Sequence, residues 1–430
     1  MDQTNIQQML MAAIQERRSG RKDEAVRLFR AVIAQAGEQP VALNALGLHA
    51  MAQGNLQESA ALLRRAVAAD PHSPELWMNL AKALREQGDD AGEEEALRGA
   101  LSTDQRHFMA LVRMAELLER RGDGAGAAER WNGVLAMAPM LDELSPSLEV
   151  MLEHARDYVA RQRAGFADAV DRGLAAARSD VPVAALRRFD ACIDHVLGRR
   201  QIYANECAGM HFPFLPADEF FPREHFPWMA TLEAATDVIR AELEAVLAED
   251  AAAIRPYVTM EPGTPANKWS PLDHSLDWGA MHLWKDGQRD DAICARVPRT
   301  AAVVEALPLS DLPGRTPTVF FSLLRPGAHL PAHTGVSNVR TIIHLPLIVP
   351  PGCTFRVGGE TRTWKVGEAW AFDDTIQHEA WNRSDQLRAI LIFDVWNPHI
   401  DPVERELLRR FYAVAAEADT APASAINLSE

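Results

Sequence analysis

Four glycines, Gly20, Gly54, Gly88 and Gly122, stand 34 residues apart. A glycine on a fixed period marks a tight turn made repeatedly, which a repeated supersecondary unit requires. Small residues keep the same phase at Ala13, Gly47, Ala81 and Ala115, and bulky apolar residues keep it at Phe29, Leu63, Leu97 and Trp131. Pro71 and Pro139 fall at corresponding repeat ends. Small residues where helices touch, Gly at the turn and Pro at the exit describe an antiparallel helix pair. Such pairs bury their apolar faces only by stacking on one another. The N-terminal third is therefore expected to be a helical solenoid.

This pattern resembles the tetratricopeptide repeat, with about four repeats over residues 6 to 141, and gives a first domain spanning residues 1–141. Glu93 stands where that family prefers Ala, and Gln105 stands in place of the exit Pro. Arrays of this kind commonly hold a peptide or protein segment on their concave face. A peptide or protein partner is the expectation, with a spacer or dimerisation surface as the alternative.

Residues 142–228 read as a helical cap followed by a connector. Leu148, Met151, Leu152, Tyr158 and Val159 recur near the helical period, and the chain from Phe212 to Phe226 turns rich in Pro and Phe. A helix from about Met229 to Glu249 then opens a third block, residues 229–430. From about Tyr257 short β runs take over, with strands expected at Val319–Leu324, Arg340–Val349, Thr354–Val357, Thr361–Trp364, Ala369–Phe372 and Ala389–Val395. Gly358-Gly359 signals a two-residue hairpin. Antiparallel strands of this length predict a double-stranded β-helix, a small jelly-roll barrel with its site at the mouth. The fold class expected is thus multidomain α + β.

Chemistry concentrates in the last block. His333 and His378 lie 45 residues apart among the short strands, and Arg388 opens the next apolar strand. Imidazoles on neighbouring strands can converge on one metal ion, and an adjacent guanidinium can hold a dicarboxylate, which points to an iron-dependent oxygenase. A two-histidine, one-carboxylate triad would place Asp or Glu two residues after His333. Gly335 stands there and has no side chain to ligate with. Either no metal binds or two imidazoles and a bound cosubstrate suffice. Two neutral histidines, Fe²⁺ and a dianionic 2-oxo acid sum to zero charge, so the missing carboxylate is tolerable.

The block from about residue 270 to 400 resembles the aspartyl/asparaginyl β-hydroxylase family. The matching text is Asp277-Trp278, Leu283-Trp284, Phe321-Ser322, His333-Thr334-Gly335, Asn338-Val339-Arg340, His344-Leu345, Phe372-Asp373-Asp374, His378-Glu379, Arg388 and Asp394-Val395-Trp396. The resemblance implies an iron(II)- and 2-oxoglutarate-dependent dioxygenase in which His333 and His378 bind the metal. It implies that Ser322, His344 and Arg388, with Trp278, hold 2-oxoglutarate, and that dioxygen is the oxidant. The implied substrate is the β-carbon of Asp or Asn in a peptide or protein, which the repeat array would recruit. The family often has a second Arg where this chain has Ile342; Arg340, one same-face step away, is the expected substitute. Asp373, Asp374 and Glu379 read as turn-forming or supporting groups, His274 and His282 as residues that could face substrate, and most tryptophans as core mass.

Other classes remain open at this stage. A tetratricopeptide adaptor with a degenerate barrel is one, and the Ile342 departure favours it. An oxygenase acting on a free amino acid or a lipid-linked acyl chain is another. The net charge of −16 argues against nonspecific nucleic-acid binding. Cys192, Cys207, Cys294 and Cys353 show no zinc spacing and fit a reduced, cytoplasmic setting. No apolar run reaches the ~20 residues of a membrane span, and residues 1 to 8 lack a signal pattern.

Overall fold

The computed structural model describes residues 3–141, 144–249 and 251–417. Residues 418–430 of the expected third block lie outside the described residues. The chain divides into two compact units, residues 1–188 and residues from Phe189 onward. The second unit therefore takes in the Pro- and Phe-rich segment as well as the block from residue 229.

The first unit is a run of helix pairs. They are α1 (Gln3–Arg18) with α2 (Lys22–Ala36), α3 (Pro40–Ala52) with α4 (Leu56–Ala69), α5 (Pro74–Gln87) with α6 (Asp90–Thr103), and α7 (Phe108–Arg120) with α8 (Gly124–Met137). Gly20, Gly54, Gly88 and Gly122 sit in the turns inside these pairs at φ between +75° and +80°, a region open to Gly at little steric cost. The small phase positions are contact points: a Cβ built on Gly47 would lie 2.7 Å from Leu63 Cγ, which occupies the bulky phase position of the same repeat. Glu93, the departure from Ala, is fully buried and pairs with Arg120 at 2.6 Å. Burial nevertheless raises its pKa, because the lost hydration outweighs the guanidinium groups of Arg120 and Arg85. The long helix α9 (Pro146–Ser179) lays Leu152, Ala155 and Val159 on Trp131 and Val134, so the last pair does not end on an open apolar face.

The second unit is built on two antiparallel sheets. Its strands are β1 (Arg255–Pro256), β2 (Trp278–Lys285), β3 (Gln288–Arg289), β4 (Val319–Leu324), β5 (His329–His333), β6 (Arg340–Ile348), β7 (Cys353–Val357), β8 (Glu360–Thr363), β9 (Trp370–Phe372), β10 (His378–Asn382) and β11 (Arg388–Trp396). The larger sheet runs β1-β2-β4-β11-β6-β9, with β3 on β2; the smaller runs β5-β10-β7-β8. Gly358-Gly359 joins β7 to β8. One face of the larger sheet, carrying Phe321, Leu323, Ile343, Leu345, Leu391 and Phe393, packs on the helices Met229–Ala234, Thr236–Glu249 and Pro298–Glu305. The other face shares a core with the smaller sheet through Trp278, Leu324, Ile390, Phe355, Val357 and Ala380. Burial on both faces is why β4 and β11 read as nearly unbroken apolar runs.

Candidate functional site

The two sheets enclose a cavity of about 380 Å³ between them. Trp278, Ser322, His333, Arg340, His344, His378 and Arg388, the site residues read from the sequence, all line it. Period-two alternation explains the grouping: Arg340, Ile342 and His344 leave β6 on the cavity side, as do Arg388, Ile390 and Ile392 from β11.

His333 ends β5 and His378 begins β10, and the ladder between these strands sets them directly opposite. Their ring centroids are 4.0 Å apart. Each ring lies against a backbone carbonyl two residues earlier in the chain. His333 Nδ1 is 2.7 Å from the oxygen of Pro331, and His378 Nδ1 is 3.0 Å from that of Ile376. A carbonyl can only accept, so Nδ1 carries the proton and donates, which leaves the lone pair of each ring on Nε2. Burial, then the neighbouring His333, hold His378 well below the usual imidazole range. Two imidazoles that both present Nε2 fit a divalent metal. Among the described residues no third His, Cys, Asp or Glu completes a metal-holding group with them.

Gly335 has a spatial reason for lacking a side chain. A Cβ placed there would fall 2.2 Å from Asp374 Oδ2, and its N–H already donates to the Asp374 carbonyl at 2.6 Å. The volume a carboxylate at position 335 would need is taken by a carboxylate from the turn before His378.

At the other end of the cavity Arg388 is 1% exposed and has no carboxylate partner among the described residues. Its Nη1 donates to Ser322, to the carbonyl at 3.3 Å and Oγ at 3.2 Å, while Trp278 Nε1 donates to the same hydroxyl at 3.1 Å. The guanidinium carbon lies 5.0 Å from the Trp364 ring centroid. Arg388 Nε, His344 Nδ1 and Trp364 Nε1 are all buried without a hydrogen-bond partner among the described residues. Burial pushes Arg388 down to about 10; burial first, and Arg388 second, hold His344 well below its usual value. An unmatched buried cation costs several kcal/mol. A carboxylate placed here would supply the missing charge and acceptors for those nitrogens.

Arg340 behaves differently. Its Nη1 lies 3.1 Å from Asp394 Oδ2 and its Nη2 3.5 Å from Asp374 Oδ2. It reaches the same cavity as Arg388, but its charge is already matched inside the protein. Ile342 faces Phe372 across the β6–β9 ladder. Of the two histidines expected to face substrate, His282 lines the cavity and His274 does not.

Sequence reading gave no role to the segment from Asn205 to Phe212, which runs over the turns carrying both histidines. Glu206, Ala208 and Gly209 donate their N–H groups to the carbonyls of Thr375, Gly335 and Val336 at 2.8, 3.2 and 2.8 Å. Asn338, fully buried, accepts from Phe212 N–H at 2.7 Å and donates to Phe212 O at 2.8 Å. Asn205 Nδ2 donates to Asp373 Oδ2 at 2.7 Å and to Thr375 Oγ1 at 2.9 Å. Asp373 in turn accepts from Thr375 N–H and Oγ1–H, and burial raises its carboxyl to about 6. The Asn338-Val339-Arg340 and Phe372-Asp373-Asp374 runs were visible signals; the partners of this region in an irregular segment 126 to 170 residues away were not.

Residues 233–398 match the family model described as Aspartyl/Asparaginyl beta-hydroxylase, and residues 10–74 and 44–108 match the Tetratricopeptide repeat. The mouse (Mus musculus) Aspartyl/asparaginyl beta-hydroxylase is 38% identical over 144 residues, covering 32% of this chain and 19% of the relative. The Ornithine lipid ester-linked acyl 2-hydroxylase of Rhizobium tropici is 35% identical over 180 residues, 41% of this chain and 60% of the relative. Among solved structures, the crystal structure of MamA protein aligns with a TM-score of 0.31 and 17% identity, over 41% of this chain and 97% of that one. The chain thus spans a fifth of the mouse relative and three fifths of the bacterial one. It carries an aspartyl/asparaginyl β-hydroxylase-family domain preceded by tetratricopeptide repeats.

Proposed function

We propose that this protein is an iron(II)- and 2-oxoglutarate-dependent dioxygenase that hydroxylates an unactivated C–H bond. One observation carries the reading above the others. Arg388, a buried cation with no carboxylate partner among the described residues, shares a cavity with two facing histidines whose tautomers leave Nε2 as the ligating atom. The net reaction takes R–H, dioxygen and 2-oxoglutarate to R–OH, succinate and carbon dioxide.

Iron and 2-oxoglutarate, when bound, supply the activation of dioxygen. The chain's own residues bind, orient and enclose. His333 and His378 would hold the metal, each kept in register by its own Nδ1–H bond to a carbonyl. Arg388 would take the distal carboxylate of 2-oxoglutarate, helped by the Ser322 hydroxyl that Trp278 fixes, and by His344 and Trp364. Phe355, Phe372 and Trp364 exclude water from that end, which strengthens the ion pair. We read the two sheets as the jelly roll expected from the sequence. The antiparallel orders β4-β11-β6-β9 and β5-β10-β7-β8, with the histidines facing across β5 and β10, support that reading.

For the substrate, the family description points to the β-carbon of Asp or Asn in a peptide, with the repeats as its recruiting arm. A second reading, a lipid-linked acyl chain, is favoured by the 35% identity to an ornithine lipid hydroxylase. The test of the shared chemistry is succinate release by the full chain with Fe²⁺, ascorbate and 2-oxoglutarate under air. Cobalt(II) binding with and without 2-oxoglutarate completes it. Turnover and cosubstrate-tightened metal binding, both lost in a His333→Ala/His378→Ala variant, are expected. If neither turnover nor cosubstrate-dependent binding is found, a non-catalytic adaptor takes its place.

A further inference from the structure

Stacked rings flank His333. Trp269 lies edge-on to it at 4.9 Å between centroids, and Trp269 and Trp278 follow at 5.9 Å and 29°. Trp278 stacks on Tyr257 at 3.8 Å and 20°; Tyr257 and His282 lie at 6.3 Å and 21°, and His282 covers Phe320 at 5.0 Å and 25°. Four of these five rings, Trp278, Tyr257, His282 and Phe320, line the cavity, a longer wall than one amino-acid side chain needs. Burial pushes His282 down to about 4, so its ring is neutral near pH 7 and the series carries no charge. Ile342, Ile392 and Phe372 add further apolar lining to the same cavity.

Around Ile342 the charges of the cavity disfavour one kind of guest. Its cations are Arg388, Arg340 and Lys285, and its anions are Asp374, Asp394 and Asp286. Arg388 belongs to the cosubstrate in the reading above. Arg340 is held by Asp394 and Asp374. A second carboxylate entering near Ile342 would meet two aspartates and a guanidinium they already neutralise. An aliphatic chain would meet aromatic and aliphatic surface that loses water favourably.

We infer that the cavity takes an acyl chain and turns away an acidic side chain, with Ile342 as the residue that sets the choice. This rests on the hydroxylase reading, and settles between its two substrates. In the reaction one C–H bond of the chain breaks and one C–O bond forms. One oxygen atom of dioxygen enters the hydroxyl and the other enters succinate, as the 2-oxo acid is oxidised with loss of carbon dioxide.

The experiment gives the full chain Fe²⁺, ascorbate, 2-oxoglutarate and air with one of three probes. These are octanamide and two peptides of one sequence with Asp or Asn at the centre. Mass spectrometry reads oxygen added to each, and cobalt(II) titration with and without 2-oxoglutarate runs in parallel. The expected result is oxygenated octanamide with the Asp peptide untouched, and at least a ~tenfold lower kcat/KM for octanamide in Ile342→Arg, a change of the size one misfitted group makes in an apolar pocket. A retained thermal transition in that variant separates specificity from folding. Oxygen added to the Asp peptide, or to the Asn peptide but not octanamide, overturns the inference. So does the absence of any product while 2-oxoglutarate still tightens cobalt binding. If that tightening is itself missing, the hydroxylase reading falls first.

Discussion

Gly335 and Asp374 are in contact so close that the glycine cannot be anything larger unless the carboxylate moves. Asp374 also approaches the Arg340 guanidinium, so displacing it disturbs a buried pair as well as a turn. Gly335→Ala is expected to destabilise the protein by about 1–3 kcal/mol, the usual cost of overpacking. Gly335→Asp should do the same without gaining metal affinity, because the space is already taken. Thermal melting and cobalt(II) titration check both; a Gly335→Asp protein that binds cobalt more tightly at unchanged stability would show that the site has room for a third ligand.

Arg388→Met should separate function from stability. Replacing a buried, unmatched cation by an apolar side chain of similar length is commonly neutral or stabilising, by up to ~1–4 kcal/mol. The variant is therefore expected to melt at or above the parent temperature while losing 2-oxoglutarate-dependent metal binding. A drop of several degrees would mean that the guanidinium is a structural group.

Asn338→Ala removes a two-way amide clamp on Phe212. The Phe212 N–H and carbonyl lose their partner, which costs about 1–3 kcal/mol for each polar group left buried. Urea unfolding should show this loss, and cobalt affinity should fall with it, because the same segment is bonded to the turns carrying His333 and His378. Unchanged cobalt affinity in a destabilised Asn338→Ala protein would reduce the segment to scaffolding.

His282 predicts an acid-side loss of stability. Its folded pKa, about 4, lies below the ordinary 6.5, so the unfolded chain takes up a proton that the folded one refuses. Stability from this group is fully present above pH 6.5 and is lost as pH falls toward 4, by an amount on the order of 3 kcal/mol. A His282→Phe protein, keeping a ring on Phe320, should show a flatter melting temperature between pH 7 and pH 4. Identical profiles for the two proteins would refute the assignment.

Legibility from sequence followed how local each signal was. The repeats could be read because a glycine at positive φ every 34 residues leaves a mark at one position, independent of neighbours. Long apolar strands such as β4, β6 and β11 were visible for the same reason. The histidines were expected among short strands, but the bounds of β5 and β10 were not legible: Pro331 interrupts one, and neither His-Leu-Pro-Ala-His nor His-Glu-Ala-Trp-Asn alternates polar and apolar residues over its five positions. Trp364 read as core mass, and its orphaned Nε1 beside Arg388 emerges only in three dimensions. Arg340 was taken as a substitute for an arginine at 342. Its two aspartates come from positions 34 and 54 residues further along, and no local pattern announces them.

The matched family region begins at residue 233, yet Asn205, Glu206, Ala208, Gly209 and Phe212 are bonded directly to the loops around both histidines. A protein shortened to that matched region would expose a buried amide and a string of backbone acceptors to solvent at the place where the metal turns must stay still. A form of this domain that keeps those bonds therefore starts before Asn205. In other proteins with this domain, the equivalent brace is better sought by its backbone path than by aligned letters, since most of its bonds are made by main-chain groups that any sequence can provide.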